Sequence, residues 1–215
     1  VALSFRPLPI RRGLLAEAGG VSIHGWDDGS VGFDGGTAFG LVVEGPARLS
    51  LGDDDFVLRA GAYFVAPGAA RVGGGRGLAI VAPGYRGLAQ LGGPIEATGR
   101  LRYIDGCTDT LLVCPPRRGE PCLNHLHLPP GTNQSAHTHP SVRIGVIARG
   151  RGVCRTPAGD HPLSPGLGWV IPAGLEHCFV TGDEALDVLA WHPDSDFGPR
   201  DDDHPMVNRT FLVAS

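Results

Sequence analysis

The chain has 215 residues, and 42% of them are hydrophobic. That is enough for one large or two small cored domains at roughly 100 to 200 residues each, and it excludes a disordered polymer. Its 18 basic residues are all arginine and its formal charge is −4, which removes lysine Schiff-base and P-loop chemistry and the basic excess that a sequence-independent nucleic-acid binder needs.

The opening Val1–Pro7 lacks the charged-then-apolar order of a signal peptide. No run approaches the ~18 to 20 apolar residues of a membrane span. A soluble cytoplasmic protein with neither nucleic-acid nor membrane partners is the expectation. Gly 34 and Pro 19 make up about a quarter of the residues without a collagen-like period, so they read as turns between short strands. Leu14–Ala18 is a weak helical candidate. Phe56–Leu58 and Leu78–Val81 read as strands, a turn falls near Leu88–Leu91, and Leu111–Val113 and Leu186–Trp191 are strands again. The rhythm is all-β.

A repeat fixes the organisation further. Gly40, Gly45, Gly61 and Pro67 fall in register with Gly145, Gly150, Gly166 and Pro172 at one offset of 105 residues. Residues 61–68 lie over residues 166–173. Two copies of one β module are therefore expected, over 20–90 and 105–193, joined by a linker at 92–102. The tail, 194–215, is acidic and then apolar, and Pro205, Met206 and Phe211–Val213 predict that it docks on a barrel. The five cysteines have no C-x-x-C spacing and read as buried thiols, with Cys178 set apart because it adjoins a histidine.

Four of the nine histidines, His125, His127, His137 and His139, crowd into fifteen residues. Positions i and i+2 of a strand share a face, so His137 and His139 can turn two imidazoles into one cavity. His177, after a Pro-Gly turn, is the candidate third ligand. His125 and His127 also share a face; a surface or subunit-contact role and a role behind the ligands or against substrate both stay open.

These residues resemble the cupin superfamily, whose motifs are G-x5-H-x-H-x3-E-x6-G and G-x5-P-x-G-x2-H-x3-N. Gly131, His137, His139 and Gly150 match the first, and Gly166, Pro172, Gly174 and His177 match the second. The resemblance implies a bicupin of two tandem jelly-roll barrels, with His137, His139 and His177 holding a divalent metal. Arg143 stands where the first motif has its glutamate, and Thr181 where the second has its asparagine. A guanidinium cannot ligate a cation, so the expected site is three neutral imidazoles, similar to the three-histidine iron sites of cupin dioxygenases. Arg143 would hold a substrate carboxylate by a bidentate fork or plug a dead site as a paired arginine. At the 105 offset the first module has Gly32, Asp34, Ala38 and Val72 in these places, so it is expected to be a degenerate, structural barrel.

The resemblance thus implies a non-haem Fe(II) oxygenase acting on a small anionic organic molecule. Zn, Mn, Ni or Cu remain open as metals, and a lyase, isomerase or non-catalytic binding barrel as alternatives. Cys178 joins His125 and His127 as a possible substrate or ligand-supporting contact. Tyr63, Tyr85 and Tyr103 all precede the site, which argues against thiol dioxygenation and sugar epimerisation. A homodimer is expected, because jelly-roll edges are commonly managed by pairing.

Overall fold

The computed structural model describes residues 3–213; Val1 and Ala2 of the opening segment and Ala214 and Ser215 of the tail lie outside it. The first half carries β1 (Arg6–Pro9), β2 (Gly13–Ala18), β3 (Val21–Asp27), β4 (Ser30–Phe33), β5 (Gly36–Glu44), β6 (Ala47–Leu51), β7 (Asp54–Leu58), β8 (Tyr63–Pro67), β9 (Ala70–Gly73), β10 (Arg76–Pro83) and β11 (Gln90–Gly92). The second carries β12 (Leu101–Arg102), β13 (Thr108–Val113), β14 (Cys122–Leu128), β15 (Arg143–Gly150), β16 (Gly152–Thr156), β17 (Gly159–Leu163), β18 (Leu167–Ile171), β19 (Cys178–Val180) and β20 (Leu186–His192). Among the described residues there is no α-helix, and none that could cross a membrane.

The sheets repeat one plan. In the first half the order β11-β8-β5-β10-β3-β2 faces β4-β9-β6-β7; in the second, β1-β18-β15-β20-β14-β13-β12 faces β17-β16-β19. Strands β8, β5, β10, β3 and β2 hold the places of β18, β15, β20, β14 and β13. The matched glycines have a packing cause. A Cβ on Gly40 would sit 2.0 Å from the Phe64 ring, and one on Gly145 would sit 2.5 Å from the Trp169 ring, so each β5-type strand must be bare where its partner lays an aromatic across it. Further on, Gly40 pairs with Ala79 and Gly145 with Ala190. These partners no longer keep the 105 spacing, because the second copy has a longer segment before β20.

Three cores result. Trp26, Phe33, Leu49, Phe64 and Val72 fill the space between the two first-half sheets. Leu128, Ile147, Trp169, Phe179 and Val188 line the second. Between the modules the two large sheets pack face to face through Phe39, Leu41, Ile80, Leu123, Ile144 and Trp191, which fixes the back wall of the second barrel.

Some expectations are corrected. Leu14–Ala18 is strand β2, paired with β3; five residues cannot repay helix nucleation, whereas the sheet edge supplies ready partners. No turn of helix forms at Leu88–Leu91 either: Gln90 and Leu91 belong to β11, which pairs with β8. The opening arm, outside both sequence modules, crosses over so that β1 extends the second large sheet, with Arg6 opposite Val170. The tail is held only at its acidic start, where Asp196 and Asp201 pair with Arg118 and Arg117. Its apolar end does not cover a barrel mouth: Phe211, Leu212 and Val213 are about nine-tenths exposed.

Candidate metal centre

The three histidines of the sequence motif meet at the second barrel. His137 and His177 form an isolated antiparallel bridge in which each backbone N–H donates to the other's carbonyl at 3.0 Å, and Gly174 N–H donates to His139 O at 2.9 Å. The bridge segment takes the place that β4 and β9 occupy in the first module. Ring centroids lie 4.6 Å apart for His137–His177, 5.0 Å for His137–His139 and 5.2 Å for His139–His177, and one ligand nitrogen from each lies within 4.8 Å of the others.

Two of the rings are oriented by the backbone. Nδ1 of His137 lies 2.8 Å from Ser135 O, and Nδ1 of His177 lies 2.9 Å from Leu175 O. A carbonyl only accepts, so in both rings Nδ1 carries the proton and donates, leaving Nε2 with a bare lone pair. This is the arrangement that aims imidazoles at a metal. Burial, with Arg143 and the neighbouring imidazoles adding to it, brings the pKa of His139 down to about 3. Burial likewise brings His177 down to about 4, against the opposing carbonyl contact of Leu175. Both rings are neutral at pH 7, as ligation requires. The donor set fits a divalent transition metal with open positions, and does not fit calcium or magnesium, which want oxygen ligands.

A cavity of about 380 Å³ opens in front of the triad, at the small end of the roughly 300 to 1,000 Å³ typical of ligand pockets. Its walls are apolar where Leu126, Trp169, Ile171, Phe179 and Val188 meet it. Arg143 lines it too. Its Nη1 donates to Ser141 O, Ser141 Oγ and Val142 O at 3.2, 2.6 and 3.2 Å, with Asp194 4.0 Å away. Among the described residues Nε and Nη2 have no protein acceptor, and that is the side-on pair of a guanidinium fork.

The other sequence candidates lie elsewhere. His125 and His127 do share a strand face, but it is the opposite one: Asn124 and Leu126 of β14 line the cavity. His125 Nε2 and His127 Nδ1 both bond Asp187 Oδ1, at 2.8 and 2.9 Å, and Arg149 Nε donates to Asp187 Oδ2 at 2.8 Å. They form a buried network behind the sheet and touch neither ligand nor cavity. Cys178, between the cavity residues His177 and Phe179, points away by strand alternation, and burial raises its thiol pKa.

Sequence reasoning missed Tyr103, Asp109, Asn124 and His192, all of which line the cavity. Tyr103 overturns the argument from absent tyrosines, because the linker carries it back to the second barrel: β12 pairs with β13 just before it. The signal for His192 was available. It continues the alternation Val188, Ala190, His192 on the inner face of β20. Its Nδ1 lies 3.2 Å from Cys122 Sγ, and burial, with the Arg143 charge adding to it, lowers its pKa to about 4.

Paired jelly rolls, one closed by an apolar core and one opened around three convergent imidazoles, define a double β-barrel protein with a histidine-only site of metal-ligating geometry. Residues 124–192, a span that contains the triad, match the cupin domain family. No curated protein matches its sequence. Among solved structures it is similar to a cupin 2 conserved barrel domain protein from Leptotrichia buccalis, with a TM-score of 0.62, 12% identity, and 90% of this chain and 98% of that one covered. It is similar to the protein Ylba of E. coli, with a TM-score of 0.61, 15% identity, and coverages of 91% and 93%. It is also similar to a salicylate 1,2-dioxygenase mutant from Pseudoaminobacter salicylatoxidans in complex with gentisate, with a TM-score of 0.61, 11% identity, and coverages of 80% and 68%. At these identities the likeness is one of fold.

Proposed function

We propose that the protein is a metal-dependent cupin enzyme, a non-haem Fe(II) oxygenase acting on a small organic anion. The observation that carries the reading is the donor set: three convergent imidazoles, His139 and His177 held neutral by burial and His137 and His177 with Nδ1 tied to backbone carbonyls, and an arginine where a fourth, carboxylate ligand would stand. His137, His139 and His177 would hold the metal. When bound, such a metal supplies open coordination positions at which substrate and dioxygen are brought together.

The remaining work belongs to the chain's own residues. Arg143 receives the anionic group of the substrate on Nε and Nη2, while Ser141 and the Val142 carbonyl keep Nη1 in place. The apolar wall of Trp169, Ile171, Phe179 and Val188 excludes water and orients a flat or short-chain body. The gentisate in complex with the structurally similar salicylate 1,2-dioxygenase mutant is a small organic anion of this kind. The first barrel has Val72 fully buried where the second has His177; among the described residues it carries no second site of this kind, and it serves as the wall on which the active sheet is packed.

A specific observation favours a second reading. Asp109 and Tyr103 add two ionisable groups to the cavity, which suits a lyase or isomerase in which Zn, Mn or Ni polarises a carbonyl without redox change. Anaerobic reconstitution with Fe(II), followed by oxygen uptake across a panel of small carboxylic acids, separates the two. Substrate-dependent oxygen consumption supports the oxygenase. Turnover of a panel member with Zn(II) or Mn(II) and no oxygen uptake supports the alternative.

A further inference from the structure

Two carboxylates of the large second sheet, on the strands either side of β14, are treated very differently. Asp187 is satisfied by two imidazoles and a guanidinium. Asp109, on β13 and facing the cavity, receives one side-chain hydrogen bond, from the neutral amide of Asn124 at 2.6 Å to Oδ1. Among the described residues Oδ2 has no partner. Asp109 is half-buried and Oδ2 is not among the buried unpartnered atoms, so that oxygen opens onto the cavity and is free to accept from a ligand donor.

Asp109 also stands across the cavity from the arginine. Sheet order puts β20 and β14 between β15, which carries Arg143, and β13. Three strand steps of ~4.8 Å make roughly 14 Å across the curved sheet, and the register sets Asp109 level with Ile147, about 13 Å along β15 from Arg143, so the two side chains reach into the cavity from diagonal positions. Tyr103 feels both charges: after burial, Asp109 pushes its hydroxyl pKa up and Arg143 pulls it down. Burial pushes Asp109 itself above the usual carboxylate range, against the Asn124 hydrogen bond, so it can accept a hydrogen bond or hold a proton.

We infer that Asp109 is a second substrate-binding residue, held by Asn124 opposite Arg143, so that the site selects small bifunctional molecules with a carboxylate at one end and a hydroxyl or amino donor at the other. This rests on the reading of Arg143 as the anion-binding residue and narrows it from any small anion to this class.

The test is calorimetric titration of the metal-loaded protein with two matched sets of probes: benzoate, 3-hydroxybenzoate and 3-aminobenzoate, and butyrate, 4-hydroxybutyrate and 4-aminobutyrate. At least one substituted probe is expected to bind roughly ten- to a hundredfold more tightly than its parent acid, the size of one hydrogen bond to a charged group. Asp109→Leu, and more weakly Asp109→Asn, should collapse that ratio to within about threefold. Melting curves establish that each variant is folded, and the Asn variant serves if the Leu variant is not. Equal binding of parent and substituted acids by the wild type, binding of no probe, or a ratio that survives in both variants would overturn the inference. Arg143→Gln should weaken parent and substituted acids alike. If it weakens neither while the Asp109 variants still lose discrimination, the carboxylate end is wrong, and that failure is distinguishable from failure at Asp109.

Discussion

Replacing Asp187 with alanine asks whether His125 and His127 are framework or site. The carboxylate is buried, and burial by itself would raise its pKa, but the hydrogen bonds from His125 and His127 and the Arg149 charge together hold it below the usual range. Taking it away leaves His125, fully buried, with neither ring nitrogen bonded, because Nδ1 has no partner already. Such a loss costs about 1 to 3 kcal/mol. His127, mostly buried, loses its bond as well, whereas Arg149 is about half exposed and rehydrates at little cost. A total of about 3 kcal/mol follows, at the low end of roughly 3 to 5 for breaking a buried pair. At about 2 to 4 °C per kcal/mol for a chain of this size, the melting temperature should drop by about 6 to 12 °C. The assay is thermal unfolding followed by circular dichroism, with metal content measured on the same preparations. The variant should melt lower and bind as much metal as the wild type. A melting temperature unchanged within about 2 °C, or a specific loss of metal from the folded variant, would refute the assignment of this network to the framework.

Gly145→Ala should destabilise by about 1 to 3 kcal/mol through overpacking, because the new methyl would meet Leu189 O at 2.1 Å as well as the Trp169 ring; denaturant unfolding that matches the wild type would contradict the packing account. Metal-free protein should lose stability as pH falls from about 6.5 toward 4. The unfolded imidazoles take up protons there while His177 and His192, lowered to about 4, and His139, lowered to about 3, stay neutral in the fold. The slope per buried imidazole is at most about 1.4 kcal/mol per pH unit, less for the partly open His139 ring. A melting temperature that stays flat between pH 7 and 5 would rule this out.

The sequence made much of the site legible because the cupin motifs are local. The His137 and His139 pair is two positions long, His177 follows a Pro-Gly turn, and both lie on one bridge of the structure. The repeat was legible for a physical reason too, since Gly40 and Gly145 each make room for an aromatic. What could not be read is what arrives from a distance. Tyr103 and Asp109 reach the cavity only because β12 and β13 extend the second sheet past β14. The crossing of β1 to β18 joins residues more than 150 positions apart. His125 and His127 were placed on one face correctly, but which face is set by the packing of the large sheets against each other, through Leu123 and Trp191 on the same side, and strand periodicity does not encode that choice.

His137, His139 and His177 are expected to bind a metal ion. Metal analysis of protein purified without added metal or chelating tag, in parallel with His137→Ala and after anaerobic Fe(II) reconstitution of both, tests this most directly. About one divalent metal per wild-type chain is expected, with loss of that metal from a variant that remains folded. A wild-type protein that stays metal-free after reconstitution, or a variant that binds as much as the wild type, would contradict it.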